Sequence, residues 1–168
     1  MGTRLACFMG WSNTGKTGWI ASCAASLSQR GLAVAAIKSV KHGASFNVPG
    51  KDSTRFFEAC GMAAVVSPVE TNVIRKTPES WGRGYAESLF PDAVVILIEG
   101  HVVEGAVRVL VGGAAASEAD LKFPLEDFDV LVTDDPGLSG RAETAGLAVY
   151  GAAQVEDFIV RYFIDALP

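Results

Sequence analysis

Gly10-Trp11-Ser12-Asn13-Thr14-Gly15-Lys16-Thr17 lies between an apolar run, Arg4 to Met9 (RLACFM), and a segment with helical spacing. This arrangement constrains the fold more than any other stretch of the chain. The octet fits G-x-x-x-x-G-K-[ST] at each fixed position, in the strand-loop-helix context the pattern requires. Each fixed residue has a physical task. Gly10 and Gly15 let the backbone turn tightly and bring N–H groups close to phosphate oxygens. The helix that follows points its N-terminal N–H groups and partial positive charge at the same place. Lys16 adds a full charge for the β- and γ-phosphates and is the candidate catalytic group. The Thr17 hydroxyl suits Mg²⁺, which prefers oxygen ligands. The expected phosphate contacts are Gly10, Trp11, Ser12, Asn13, Thr14, Gly15, Lys16, Thr17 and Gly18. Position 11 is Trp and not Lys, which sets the loop apart from the variant of the partitioning ATPases that carries an extra lysine.

The rest of the chain supplies the fold that such a loop needs. Lys16 to Arg30 places Trp19, Ile20, Cys23, Ala24 and Leu27 on one helical face, and Gly31 stops it. Leu32 to Ile37, Ala63 to Ser67, Ala93 to Ile98 and Phe128 to Val132 are short apolar strands, with Ala148 to Tyr150 as a last short one. Thr71 to Lys76 extends or pairs with the strand before it. Val107 to Val111 follows a turn at Glu104-Gly105, which suggests a hairpin with Ala93 to Ile98. Asp52 or Ser53 is expected to cap a helix through Ala59, with Gly61 ending it. Glu79 to Leu89 and Val155 to Leu167 complete the helices. Continuous apolar strands alternating with helices predict an α/β protein of the P-loop NTPase type: a mostly parallel sheet with helices on both faces. No linker divides the chain, so residues 1–168 are expected to form a single nucleotide-binding domain.

A P-loop enzyme needs a carboxylate at the end of a neighbouring strand for its metal. Glu99, directly after AVVILI, is the first candidate, and Asp52 the second. Lys38, Lys41 and His42 form a small basic cluster after the second strand, suited to an anionic phosphate. No N-K-x-D guanine motif appears. Asp134 or Asp135, after a strand, is the candidate for accepting hydrogen bonds from guanine N1 and N2. Between Glu104 and Lys122 only Arg108 and Lys122 are cationic, poor material for the Arg-rich lid of a small-molecule kinase.

Composition narrows the partners. The net charge of −5 gives no bulk attraction to nucleic acid or anionic membranes. No apolar run approaches a membrane span, and Leu5 to Met9 is too short for a signal peptide. Three cysteines without a CxxC suggest a reduced, cytoplasmic protein.

The loop, together with Ile37-Lys38 and Lys41-His42-Gly43, Pro49-Gly50-Lys51-Asp52-Ser53, and Ile98-Glu99-Gly100, resembles the molybdopterin-guanine dinucleotide biosynthesis protein B family. The resemblance covers roughly the first 110 residues. It implies a homodimeric P-loop protein that binds GTP and Mg²⁺ and hydrolyses GTP weakly. Such a protein assists the guanylyltransferase that joins GMP to molybdenum-bearing molybdopterin. Carried over by position, Gly10 to Thr17 would hold the phosphates and Glu99 the Mg²⁺. Lys38, Lys41, His42 and Asp52 would line the cleft, with molybdopterin as a further ligand. Family members are richer in His after the second strand and follow Glu-Gly with an aromatic residue and Lys; this chain has Glu99-Gly100-His101-Val102. Two other functions fit the loop: a P-loop small-molecule kinase, and a non-catalytic adaptor that uses nucleotide as a switch.

Overall fold

The computed structural model describes residues 2–40, 51–112 and 121–165. By the packing of its backbone the chain divides into two compact units, one of residues 1–39 and 82–168, the other of residues 40–81.

The larger unit is built on six strands: β1 (Arg4–Met9), β2 (Val34–Lys38), β5 (Val95–Glu99), β6 (Val107–Val111), β7 (Val130–Val132) and β8 (Ala148–Tyr150). Their order is β2-β5-β1-β6-β7-β8, and every neighbouring pair is parallel. Central parallel strands are covered on both faces, which is why their sequences are apolar throughout instead of alternating. On one face Phe8, Leu97, Val109 and Val132 pack with Trp19, Cys23 and Leu27 of α1 (Lys16–Gln29) and Phe158 of α5 (Val155–Ile159). The Phe158 ring meets Trp19 and Tyr150 edge-on at 5.4 and 5.7 Å, the offset geometry aromatic quadrupoles favour. On the opposite face Leu110, Leu131 and Leu147 pack against Leu138 and Ala142 of α4 (Pro136–Thr144).

Two expectations for this unit are corrected. β5 and β6 do not form a hairpin, because β1 lies between them and pairs in parallel with both. Val107 opens β6 level with Ala6 and Glu99 ends β5 level with Phe8, so the link between the two strands steps back by only two residues. It crosses the face of β1, where Val103 is buried against Cys7. The helix expected from Glu79 begins only at Arg83, as α3 (Arg83–Leu89), with extended Gly82 as its N-terminal boundary. The closing helix continues from α5 as a π-helical segment, Val160–Ile164.

The smaller unit contains α2 (Asp52–Cys60) and an antiparallel pair, β3 (Met62–Val66) and β4 (Thr71–Arg75). The pairing of Thr71 to Lys76 with the preceding strand is as the sequence suggests. The cap is not: Lys51 holds the boundary position without a side-chain cap, and Asp52 is the first helical residue, where its charge suits the helix dipole. Gly61 ends α2 in the left-handed conformation, as expected. Among the described residues no helix is long and apolar enough to cross a membrane.

Candidate functional site

Ligands of open parallel sheets gather beyond the carboxyl ends of the strands, where the connections diverge to opposite sides. Here that point is the end of β1, between β5 and β6, and the Gly10–Thr17 loop leaves from it. Gly10 has φ +140°, and a Cβ there would collide with the Val111 carbonyl oxygen at the end of β6. Asn13 and Gly15 also take positive φ, at 65° and 92°, and curl the loop into α1. Thr14 Oγ1 donates to the Trp11 carbonyl at 3.0 Å.

Lys16 is the buried charge of this loop, 9% exposed. Its ammonium turns back on the loop and donates to the carbonyl oxygens of Gly10 (3.2 Å) and Trp11. Burial pulls its pKa below the ordinary lysine value. Glu99 opposes that shift, and the ammonium groups of Lys122 and Lys38 reinforce it.

Glu99 ends β5, level with Phe8 on β1 and with Lys38 on β2. The sheet register therefore sets the carboxylate beside the loop. Thr17 Oγ1 donates to Glu99 Oε2 at 2.9 Å, and Lys38 Nζ lies 3.3 Å from Glu99 Oε1. Gly100 follows with φ 82°, and a Cβ there would press to 3.0 Å on the Ser39 carbonyl oxygen, so the Glu-Gly pair closes the strand end tightly. A hydroxyl and a carboxylate at hydrogen-bond distance, beside a phosphate loop, form a hard-oxygen pair that fits Mg²⁺. Among the described residues no three His, Cys, Asp or Glu side chains gather elsewhere as a metal site.

The structure thus brings together Gly10 to Gly18, Glu99 and Lys38. It treats the other sequence candidates differently. Asp135 caps α4, its Oδ1 accepting from Leu138 N at 2.7 Å. Asp134 Oδ1 accepts from Ala152 N at 2.9 Å, after β8. Asp52 lies in the smaller unit, exposed, with Arg55 Nη1 4.0 Å away. Lys41 and His42 lie outside the described residues. Lys122, set aside in the sequence as poor lid material, holds its ammonium 5.4 Å from the Trp11 ring centroid. The one local signal was the adjacent Phe123, a cation beside an aromatic ring after a Gly/Ala-rich stretch.

A model of the family "Molybdopterin guanine dinucleotide synthesis protein B" matches residues 5–133. Among solved structures, Bacillus subtilis MobB is similar, with a TM-score of 0.70 and 20% identity over 95% of this chain and 98% of that one. A molybdopterin-guanine biosynthesis protein B matches with a TM-score of 0.65 and 20% identity over 96% and 97%. A MobB homologue from Bacillus stearothermophilus gives 0.58 and 15% over 95% and 93%. At these identities the structures speak for the fold. No curated protein matches the chain. The family model spans most of the chain, including the loop, β5 and Glu99, and the chain belongs to the molybdopterin guanine dinucleotide synthesis protein B family, whose role lies in the biosynthesis of that cofactor.

Proposed function

We propose that this protein binds Mg²⁺-GTP and hydrolyses it slowly, in the service of a guanylyltransferase that joins GMP to molybdopterin. The observation that carries the reading is the Thr17–Glu99 contact of 2.9 Å beside buried Lys16. Bound Mg²⁺ would offset the charge on the β- and γ-phosphates. Thr17 and Glu99 would hold it, with Asp52 as a second acid. Lys16 would leave the carbonyls of Gly10 and Trp11 for phosphate oxygens and stabilise charge on the transferring group. Lys38 balances Glu99 and, with Lys41 and His42, would favour an anionic ligand such as the molybdopterin phosphate. Asp134 or Asp135 would read guanine. Residues 1–168 would act as one nucleotide-binding domain, with residues 40–81 inserted between β2 and α3. The exposed Met62, Val66 and Val73, on one face of the β3–β4 pair, form an apolar surface suited to a homodimer.

The test is titration with GTP and ATP in Mg²⁺, followed by phosphate release with and without the guanylyltransferase. Preferred GTP binding and partner-stimulated release are expected, and Lys16→Ala should abolish binding. Micromolar GTP affinity in Lys16→Ala would sink the reading. Unchanged GTP-over-ATP preference in both Asp134→Ala and Asp135→Ala would remove the base assignment alone. GTP binding without phosphate release in any mixture would leave a nucleotide switch in place of a hydrolase.

A further inference from the structure

Of the two cations between Glu104 and Lys122, Arg108 is committed to Asp129. Its Nη2 lies 2.8 Å from Asp129 Oδ1, and its Nε lies 3.2 Å from Oδ2. Lys122 is held differently. Its ammonium stands 5.4 Å from the Trp11 ring centroid and 5.4 Å from that of Phe123, and among the described residues no carboxylate lies within 4 Å of it. Lys38, by contrast, has Glu99. The two lysines approach the loop from opposite sides of β1. Lys38 comes from the β2–β5 side, and Lys122 from the connection between β6 and β7.

Trp11 locates Lys122 along the loop. Its carbonyl accepts from the Lys16 ammonium, the group that serves the β- and γ-phosphates. The wall on which Lys122 rests is therefore the outer-phosphate end of the loop. A cation over an exposed ring is weakly held. A phosphate oxygen offers it a charge-assisted hydrogen bond, which is stronger. Lys122 and the Lys16 ammonium thus meet the same residue, one at the Trp11 ring and the other at its carbonyl. Among the described residues, Lys122, Lys16 and Lys38 bring three ammonium groups to the loop against the carboxylate of Glu99, in a chain whose net charge is −5.

We propose that Lys122 is a specificity residue that leaves the Trp11 ring to bind the terminal phosphate of a nucleoside triphosphate, so that the loop distinguishes triphosphate from diphosphate. The proposal rests on the reading of Gly10 to Thr17 as a triphosphate grip. Lys122 supplies from within the chain a charge that other P-loop enzymes take from an arginine finger. The contact is made with one phosphate only, so its loss changes a ratio of affinities and not affinity in general.

The experiment measures dissociation constants for a non-hydrolysable GTP analogue and for GDP, both with Mg²⁺, in the wild-type chain, Lys122→Ala and Lys122→Arg. Lys122→Ala should weaken the triphosphate about tenfold and leave GDP within about twofold, while Lys122→Arg should restore most of the difference. Tryptophan emission should show a triphosphate-specific change in the wild type that Lys122→Ala loses. Equal weakening of both nucleotides, or of neither, overturns the assignment while the phosphate-loop reading stands. A wild-type chain that binds neither nucleotide overturns both. Lys122 is exposed and outside the core, so both variants should keep the wild-type thermal midpoint.

Discussion

At the scale of single residues, Gly10 and Glu99 carry the site, one by its shape and the other by its charge. At Gly10, φ +140° disfavours any L side chain, and the Val111 carbonyl occupies the space a Cβ would need. Gly10→Ala must therefore shift either β6 or the loop. Combined strain and overpacking should cost on the order of 3 kcal/mol, read as a lower midpoint in urea with an unchanged slope. Retention of wild-type stability would mean that the Val111 carbonyl yields to a Cβ at position 10 at no cost. Glu99 makes the opposite case, since its value is chemical. Glu99→Gln keeps the shape beside Thr17 but loses the charge. The Mg²⁺ concentration needed for GTP binding should rise about tenfold or more, with little change in thermal midpoint. An unchanged Mg²⁺ requirement would move the metal to another acid, with Asp52 next in line. The loop and Glu99 were legible in the sequence because each lies at a fixed offset from a strand end. Lys122 was not legible as part of the site, because its place over Trp11 joins two positions far apart in the sequence that no local spacing links. Asp135 was half legible: the position after a strand that made it a guanine candidate is also where it caps α4.

At the scale of elements, the strands were easier to find than to order. A buried strand in a parallel sheet is recognised by its continuous apolar run, but nothing in that run names its neighbour. Glu104-Gly105 reads locally as a hairpin turn, and Gly105 does take φ 69°. The outcome was decided instead by burial, which favours β1 at the centre with both faces covered. The junction of β6 and β7 shows how a local pair then fixes the order. Asp129 accepts from the Arg108 backbone N–H at 2.8 Å as well as from its guanidinium. These bonds hold the Asp129 carboxyl below the ordinary aspartate value, chiefly through the Arg108 side chain. A carboxyl lowered on folding contributes stability that is fully present above the unfolded pKa and lost as pH falls through the folded one. Both groups are partly exposed, so the contribution is discounted to about 0.5–1 kcal/mol. Asp129→Asn should lower stability by about that amount at pH 7. The gap to wild type should close as the pH drops below the ordinary aspartate range. A gap that persists undiminished in acid would assign the effect to the lost backbone contact and not to charge.

At the scale of the whole molecule, the two compact units differ in what they leave exposed. The larger unit has a packed aromatic and aliphatic interior, whereas the smaller one shows solvent Val66 at 75% and Val73 at 67%. If that hairpin surface pairs two chains, light scattering should give twice the chain mass of 17.6 kDa. Val66→Lys with Val73→Lys should return single chains. A wild-type chain that stays single at high concentration would place the homodimer elsewhere or remove it. The three cysteines then offer a probe of each unit separately. Cys7 on β1 and Cys23 on α1 are fully buried, and Cys60 at the end of α2 is exposed. Burial raises both buried thiols, that of Cys23 to about 12, which leaves almost no reactive thiolate at neutral pH. In dilute native protein a thiol reagent should therefore modify Cys60 alone, and all three cysteines in denaturant. Cys60 donates to the Met62 carbonyl, so its labelling should slow at concentrations where the hairpin surface pairs. Labelling of Cys7 and Cys23 during denaturant unfolding should follow the loss of the six-stranded sheet and coincide with the loss of nucleotide binding, because both cysteines lie in the unit that carries Lys16 and Glu99. Rapid modification of either one in the native state would contradict the packing of α1 against β1, on which the position of the phosphate loop depends.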